Sequence, residues 1–322
     1  MYFNNSNNFF HGIMFHHFHD DGIHLKSQGS ISEDDFKNLI NFIGRKNILN
    51  ADNFYEKFKK NLLKKNEVCI TFDDAIKSQI DVALPVLSAY KIKAFFFVYT
   101  SMFEGNPDNL EIYRYFRTNY FSSINEFYSN FYETLNENLE PFFTQNQKEI
   151  ENKESKFQMY TIGDIKFRLV RDLYLKKDKY EDIMQKMIKK KKIISSELYS
   201  KLFFSKDDLK KLDKQGHLIG PHSHFHPTLM ENLTIDKQKY EYEKAISVLS
   251  KILNKSKSDF KWMSHPNGSY SKDTLKVLNK IGLELGFKQI MKIEPEKGMK
   301  KINNSNLEIA REDHSNIIRL MN

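Results

Sequence analysis

Apolar residues recur along the chain with two different periods, and the alternation between them outlines an α/β protein. GIMF at 12–15 reads as a short buried strand. In ISEDDFKNLINFIG the apolar positions Phe36, Leu39, Ile40 and Ile43 fall at i, i+3, i+4 and i+7, the stripe of a helix. Ser32 and Asp35 have capping-box spacing in front of it, and Gly44 supplies a stop. EVCITFDD is an apolar run that ends abruptly in acid, and a helical pattern through Leu84 and Leu87 separates it from a second apolar run, KAFFFVY. Strand, helix, strand is a βαβ unit, whose parallel strands are buried on both faces and so read as continuous apolar runs.

The texture changes over residues 106–200. Stretches such as IYRYFRTNYF, INEFYSNFY and DIMQKMIKKKK are aromatic and lysine-rich with helical periodicity, which predicts a helical insertion. The alternation then resumes. A helix in DDLKKLDKQ stops at Gly216, and the strand HLIG runs into GPHSHFHP. A helix around 245–253, the loop SHPNGSY, a helix DTLKVLNKIG, the strand-like LGFKQI and a final LEIAREDHSNI follow. No internal repeat is evident. One elaborated domain over 1–322, carrying its insertion at 106–200, is the expected organisation.

Composition narrows the class. Of 322 residues, 40% are hydrophobic and 14% aromatic, enough for a large core, while 29% are charged. No stretch approaches the ~18 apolar residues of a membrane span. No basic segment followed by an apolar run and a cleavage site opens the chain, and its single cysteine, Cys69, rules out an intramolecular disulfide; both suit a cytoplasmic protein. The net charge of +8 could suggest a polyanionic partner. The excess lysine is spread over helical faces, however, its densest run is only residues 189–192, and no zinc-finger or RNA-binding signature accompanies it, so nucleic acid is not an expected partner.

The chemistry concentrates at strand ends. His222 and His226 are four residues apart just after a strand, and Asp73 and Asp74 close another. Functional groups of parallel α/β folds collect where the strands' carboxyl ends open into loops. Two imidazoles with the carboxylate of Asp74 make a three-ligand set that leaves a position open for water, the pattern of a catalytic divalent metal site. Such an ion suits hydrolysis of an unactivated amide. The competing role for Asp73 is to cap a helix beginning in DDAIKSQ.

TFDD at 71–74 with HSHFHP at 222–227 resembles the two leading motifs of the polysaccharide deacetylases, the NodB-homology or carbohydrate esterase family 4 group. The resemblance implies a distorted, incomplete (β/α)7-type barrel. It makes Asp73 the catalytic base and Asp74, His222 and His226 the ligands of a metal, zinc first, with cobalt, nickel or manganese as alternatives. His224, between them, has no role in the family pattern. That division of labour is sensible, because a carboxylate bound to a metal accepts a proton poorly. The family's third motif, an arginine before proline and an aromatic, is here Ser264-His265-Pro266-Asn267-Gly268-Ser269-Tyr270, without arginine. The arginine's task of orienting the base falls by motif logic to Arg311, which could instead pair with Glu312 or Asp313. The general acid is His16 by resemblance of GIMFHHF to a branch that carries it near the start, with His314 as rival; the charges of Glu312 and Asp313 are expected to keep His314 protonated.

The implied activity is metal-dependent removal of an acetyl group, N-linked in preference to O-linked, from a sugar or glycan of cell-surface polysaccharide metabolism. The insertion resembles the helical elaboration of members from surface-polysaccharide and sialic-acid-like sugar pathways. A deacylase of nucleotide-sugars or other small amides is the alternative enzyme, and the missing motif arginine leaves open a glycan-binding protein without catalysis.

Overall fold

Seven short strands carry the apolar runs: β1 (Gly12–Phe15), β2 (Cys69–Asp73), β3 (Phe95–Val98), β4 (Leu218–Pro221), β5 (Trp262–Ser264), β6 (Leu285–Ile290) and β7 (Ile309–Asp313). In this computed structural model, which describes residues 11–27, 29–156, 161–290 and 305–321, the strands are all parallel. They lie in the order β4-β3-β2-β1-β7-β6-β5 and curl into a nearly closed barrel surrounded by helices. The expected distorted (β/α)7 barrel is therefore present. β1 sits at its centre, with Gly12 in register with Cys69 of β2 on one side and Arg311 of β7 on the other.

One seam, between β4 and β5, lacks the backbone ladder. Side chains bridge it instead: Trp262 Nε1 donates to the Ile219 carbonyl at 2.9 Å, and His222 Nδ1 donates to that of Ser264 at 3.0 Å. The approach is close enough that a Cβ on Gly220 would lie 2.4 Å from the Trp262 carbonyl oxygen. The three-residue β5 was not separable by pattern from the loop after it, because so short a strand shows no period.

Side chains alternate between two cores. One face of each strand packs under the helices, with Ile13, Phe15, Ile70, Phe72, Phe96 and Val98 buried there. The other face fills the lumen, where Cys69, Phe95, Phe97, Leu285, Phe287 and Ile309 form a separate cluster. Burying each large aromatic contributes about 1.5–3 kcal/mol. The helix Glu33–Ile43 buries Phe36, Leu39, Ile40 and Ile43, and its capping box is formed: Ser32 Oγ accepts from the Asp35 amide and the Asp35 carboxylate from the Ser32 amide. Among the described residues, no helix is long and apolar enough to cross a membrane.

The chain divides into two compact units, Met1–Asp108 with Ser200–Asn322, and Asn109–Tyr199. The second is helical, beginning with Asn109–Asn119 and Ile124–Leu135 and including the long helix Lys176–Lys190. Its aromatics make a core of their own, in which Phe167 meets Phe127 at 5.3 Å and Phe131 at 5.0 Å between ring centroids. Tyr113 and Phe116 of the YRYFR stretch are buried as well.

Candidate active site

The carboxyl ends of β1, β2 and β4 bring five of the seven candidate residues into one cluster, with Arg311 of β7 reaching it from below. Asp73 is the last residue of β2 and is 1% exposed. Both of its carboxylate oxygens are taken by the Arg311 guanidinium, Nη1 to Oδ1 at 2.7 Å and Nη2 to Oδ2 at 2.6 Å. Ser264 Oγ donates to Oδ1 at 3.1 Å. The helical turns that follow begin at Lys77, and the Asp73 carboxylate accepts from Arg311 and Ser264, not from the amides of that helix. Gln79 Nε2 instead ties the strand ends together, donating to the carbonyls of Asp73 and His16 at 2.6 and 2.8 Å. Burial pushes the Asp73 carboxyl up, but the Arg311 charge, followed by those of His222 and His16, more than offsets this and holds it below its ordinary value.

Asp74 leaves the strand with a left-handed backbone, φ +72°, which turns its side chain across the mouth. Its Oδ1 lies 3.4 Å from His222 Nε2 and 3.3 Å from His226 Nε2. The two imidazoles are oriented from behind. His222 Nδ1 donates to Ser264, and His226 Nδ1 donates to the Asp108 carboxylate at 2.9 Å. Asp108 is in turn fixed by its amide, which donates to Tyr99 Oη at 3.1 Å. With Nδ1 of each ring engaged in this way, both Nε2 atoms face Asp74 Oδ1, which is buried and has no hydrogen-bond partner among the described residues. One carboxylate oxygen and two imidazole nitrogens, each able to act as a metal ligand, thus converge on one point. A divalent cation fits this donor set, and carboxylate or carbonyl support behind each histidine is the usual arrangement at metal centres. Burial disfavours charge on Asp74 and on His226, yet their mutual attraction wins: Asp74 is held well below the usual carboxylate range, and His226, also paired with Asp108, is pushed up to about 9.

His16 follows β1. Its Nε2 stands 3.8 Å from Asp74 Oδ2 and 4.0 Å from Asp73 Oδ2, with the side chain 23% exposed. His314 is placed differently. It is 3% exposed, stacked on Phe15, and its two ring nitrogens face the carbonyls of Met14 and Gly29 at 3.2 and 3.1 Å. Burial lowers its pKa more than Asp313 raises it, the reverse of the sequence expectation that neighbouring acids keep it protonated. Arg311 pairs with Asp73 and not with its sequence neighbours, because alternation along β7 sends Glu312 to the opposite face of the sheet. His224 is buried, bonded through Nδ1 to Thr100 Oγ1 at 2.8 Å. Its amide and that of Phe225 both donate to Glu241, which secures the histidine loop.

Asp108, Ser264, Gln79 and Glu241 were not among the candidates. Asp108 and Glu241 are single acids in polar stretches with no spacing that ties them to the histidines. Ser264 was visible only as the place where an arginine is missing.

A barrel of parallel strands whose carboxyl ends bring Asp74, His222 and His226 together beside the arginine-held Asp73 has the architecture of a hydrolytic deacetylase. The sequence model described as polysaccharide deacetylase matches residues 60–286, and the chain belongs to that family. Solved structures agree in fold. A deacetylase from Streptococcus pyogenes, PplD, in complex with acetate, is similar over 98% of this chain and 98% of its own, with 16% identity and a TM-score of 0.56. A de-N-acetylase from Aggregatibacter actinomycetemcomitans is similar over 97% and 99%, with 13% identity and a TM-score of 0.54. The BpsB deacetylase domain from Bordetella bronchiseptica is similar over 96% of both chains, with 12% identity and a TM-score of 0.51. No curated protein matches the sequence.

Proposed function

We propose that the protein hydrolyses the N-acetyl group of an acetylated sugar or glycan, in the metabolism of cell-surface polysaccharide, with a divalent cation held by Asp74, His222 and His226. The observation that carries this reading is the convergence of two imidazole Nε2 atoms on the unpartnered Asp74 Oδ1, beside a second carboxylate kept out of the ligand set by Arg311. Two nitrogen donors and one oxygen favour zinc. When bound, such an ion supplies Lewis acidity to the acetyl carbonyl and makes a nucleophile available at neutral pH.

The chain's own residues account for the proton transfers. Asp73 accepts the proton of the attacking water. The bidentate Arg311 keeps it ionised and fixes its direction, so little reorientation is needed as the reaction proceeds. His16, on the open side of the two acids, donates a proton to the departing amine, which leaves poorly unless protonated. His314 is a structural histidine in this reading, since both ring nitrogens are engaged by backbone carbonyls. Among similar structures, the Streptococcus pyogenes deacetylase was captured with acetate, the product this reaction releases.

The test is acetate release from N-acetylated monosaccharides, oligosaccharides and nucleotide sugars, each with chelated protein and with added zinc, cobalt, nickel or manganese. Release from an N-acetylated sugar or oligosaccharide only with metal is expected. Full metal binding with no acetate from any substrate would overturn the catalytic reading in favour of glycan binding.

A further inference from the structure

Arg311 does not stand next to the carboxylate it holds. It belongs to β7, Asp73 belongs to β2, and β1 runs between them. Arg311 lies level with Gly12, whose other neighbour is Cys69, four residues below Asp73 on β2. The arginine side chain must therefore cross the inner face of β1 and climb two rungs of the barrel. It is pinned along the way: Nε donates to the Lys288 carbonyl at 3.2 Å, Nη1 to Thr71 Oγ1 at 3.2 Å, and both terminal nitrogens to Asp73.

Gly12 occupies the crossing point. A Cβ there would sit 2.8 Å from Arg311 Cγ, closer than real carbon contacts allow, and 3.3 Å from two ring carbons of Phe287. Cγ is near the root of a side chain fixed at three further points, so it cannot swing aside. Gly12 has no left-handed backbone to explain the residue, since it is absent from the positive-φ glycines. A glycine inside a strand is otherwise unfavourable, lacking a side chain to pack and losing more entropy than alanine. The space above its Cα is the remaining reason for it.

We infer that Gly12 is a positioning residue for the catalytic base: its missing side chain is the lane through which an arginine from β7 reaches Asp73, in a protein whose β5 offers only Ser264 there. The inference rests on the reading of Asp73 as the base. It is independent of which sugar is hydrolysed.

The test is a double-mutant cycle on the zinc-loaded full chain with Gly12→Ala, Arg311→Ala and both together, reading kcat, KM, zinc content and melting temperature. Gly12→Ala should lower kcat roughly 10²-fold, the usual penalty for a displacement of about 1 Å in the active site, while KM and zinc content stay near wild type. In the Arg311→Ala background the same change should cost far less in kcat and melting temperature, because the 2.8 Å collision is gone and only the looser 3.3 Å contacts with Phe287 remain. A wild-type kcat for Gly12→Ala, or an equal loss in both backgrounds, would overturn the inference. If Gly12→Ala alone does not fold, recovery of a folded double variant supports the lane, and failure of both overturns it. The melting temperatures read the same coupling even if no acetate is released, so failure of the activity reading and failure of this one are distinguishable.

Discussion

The floor and the mouth of the barrel lumen are built from the same strands and obey opposite chemistry. At the floor, Cys69, Phe95, Leu285 and Ile309 are buried hydrocarbon and thiol with no charge to satisfy. Four residues further along β2 and β7 stand Asp73 and Asp313, with Arg311 between Ile309 and Asp313 on β7. The floor tolerates any side chains that fill its volume, because dispersion and apolar burial are not directional. The mouth does not, because every buried charge there must meet a partner at a fixed angle. Asp73 has its partner in Arg311, whereas Asp74 Oδ1 has no hydrogen-bond partner among the described residues, and that unmet requirement marks the site.

Breaking the mouth should abolish function without unmaking the barrel. Asp74→Ala or His222→Ala is expected to remove bound zinc and all acetate release while the far-ultraviolet circular dichroism remains native; full zinc occupancy in His222→Ala would disprove the assignment. Asp73→Asn should keep the metal and lose roughly 10²-fold or more in kcat, since the amide cannot accept the proton. Equal loss of metal would instead make Asp73 a ligand. His16→Ala should suppress cleavage of an N-acetyl sugar by about 10²–10⁴-fold and spare an activated acetate ester, whose leaving group needs no proton. The same selectivity in His314→Ala, and not in His16→Ala, would reverse the choice of donor.

Breaking the floor should do the converse. Phe95→Ala, at a ring packed against Phe97, Trp262 and Phe287, is expected to cost about 3–5 kcal/mol of stability in a denaturant titration, with kcat of the folded fraction unchanged. The smallest effect concerns the outer face of β7. Burial there pushes the Glu312 carboxyl up to about 7, Asp313 adding to the shift, while bonds from Asn316 and the Asp313 amide oppose it. A carboxyl whose folded pKa exceeds its unfolded value contributes full stability below the unfolded pKa and loses it as pH rises through the folded one. Glu312→Gln should therefore melt a few degrees above wild type at pH 8, with the difference vanishing by pH 4. A gain that is constant with pH would show that packing, not ionisation, is responsible.

Much of this architecture is written locally. The runs ending in Asp73-Asp74 and in GPHSHFHP announce buried strands that deliver polar groups at their carboxyl ends, and the Ser32 capping box and the stripe from Phe36 to Ile43 mark the start and the buried face of their helix. These features depend on neighbours within a few residues, so periodicity reveals them. β5 escaped notice because three residues cannot display a period.

Two things could be decided only in three dimensions. Which acid stands behind His226, and which polar group links His222 to Asp73, depend on contacts spanning 118 and 191 residues along the chain. Nothing in the local sequence of Asp108 or Ser264 encodes such a distance. The path of Arg311 is the second. Sequence order singles it out as a candidate arginine, but the β7-β1-β2 adjacency sends it over a glycine and into the Asp73 carboxylate, because strand order and side-chain direction belong to the closed sheet and not to any one strand.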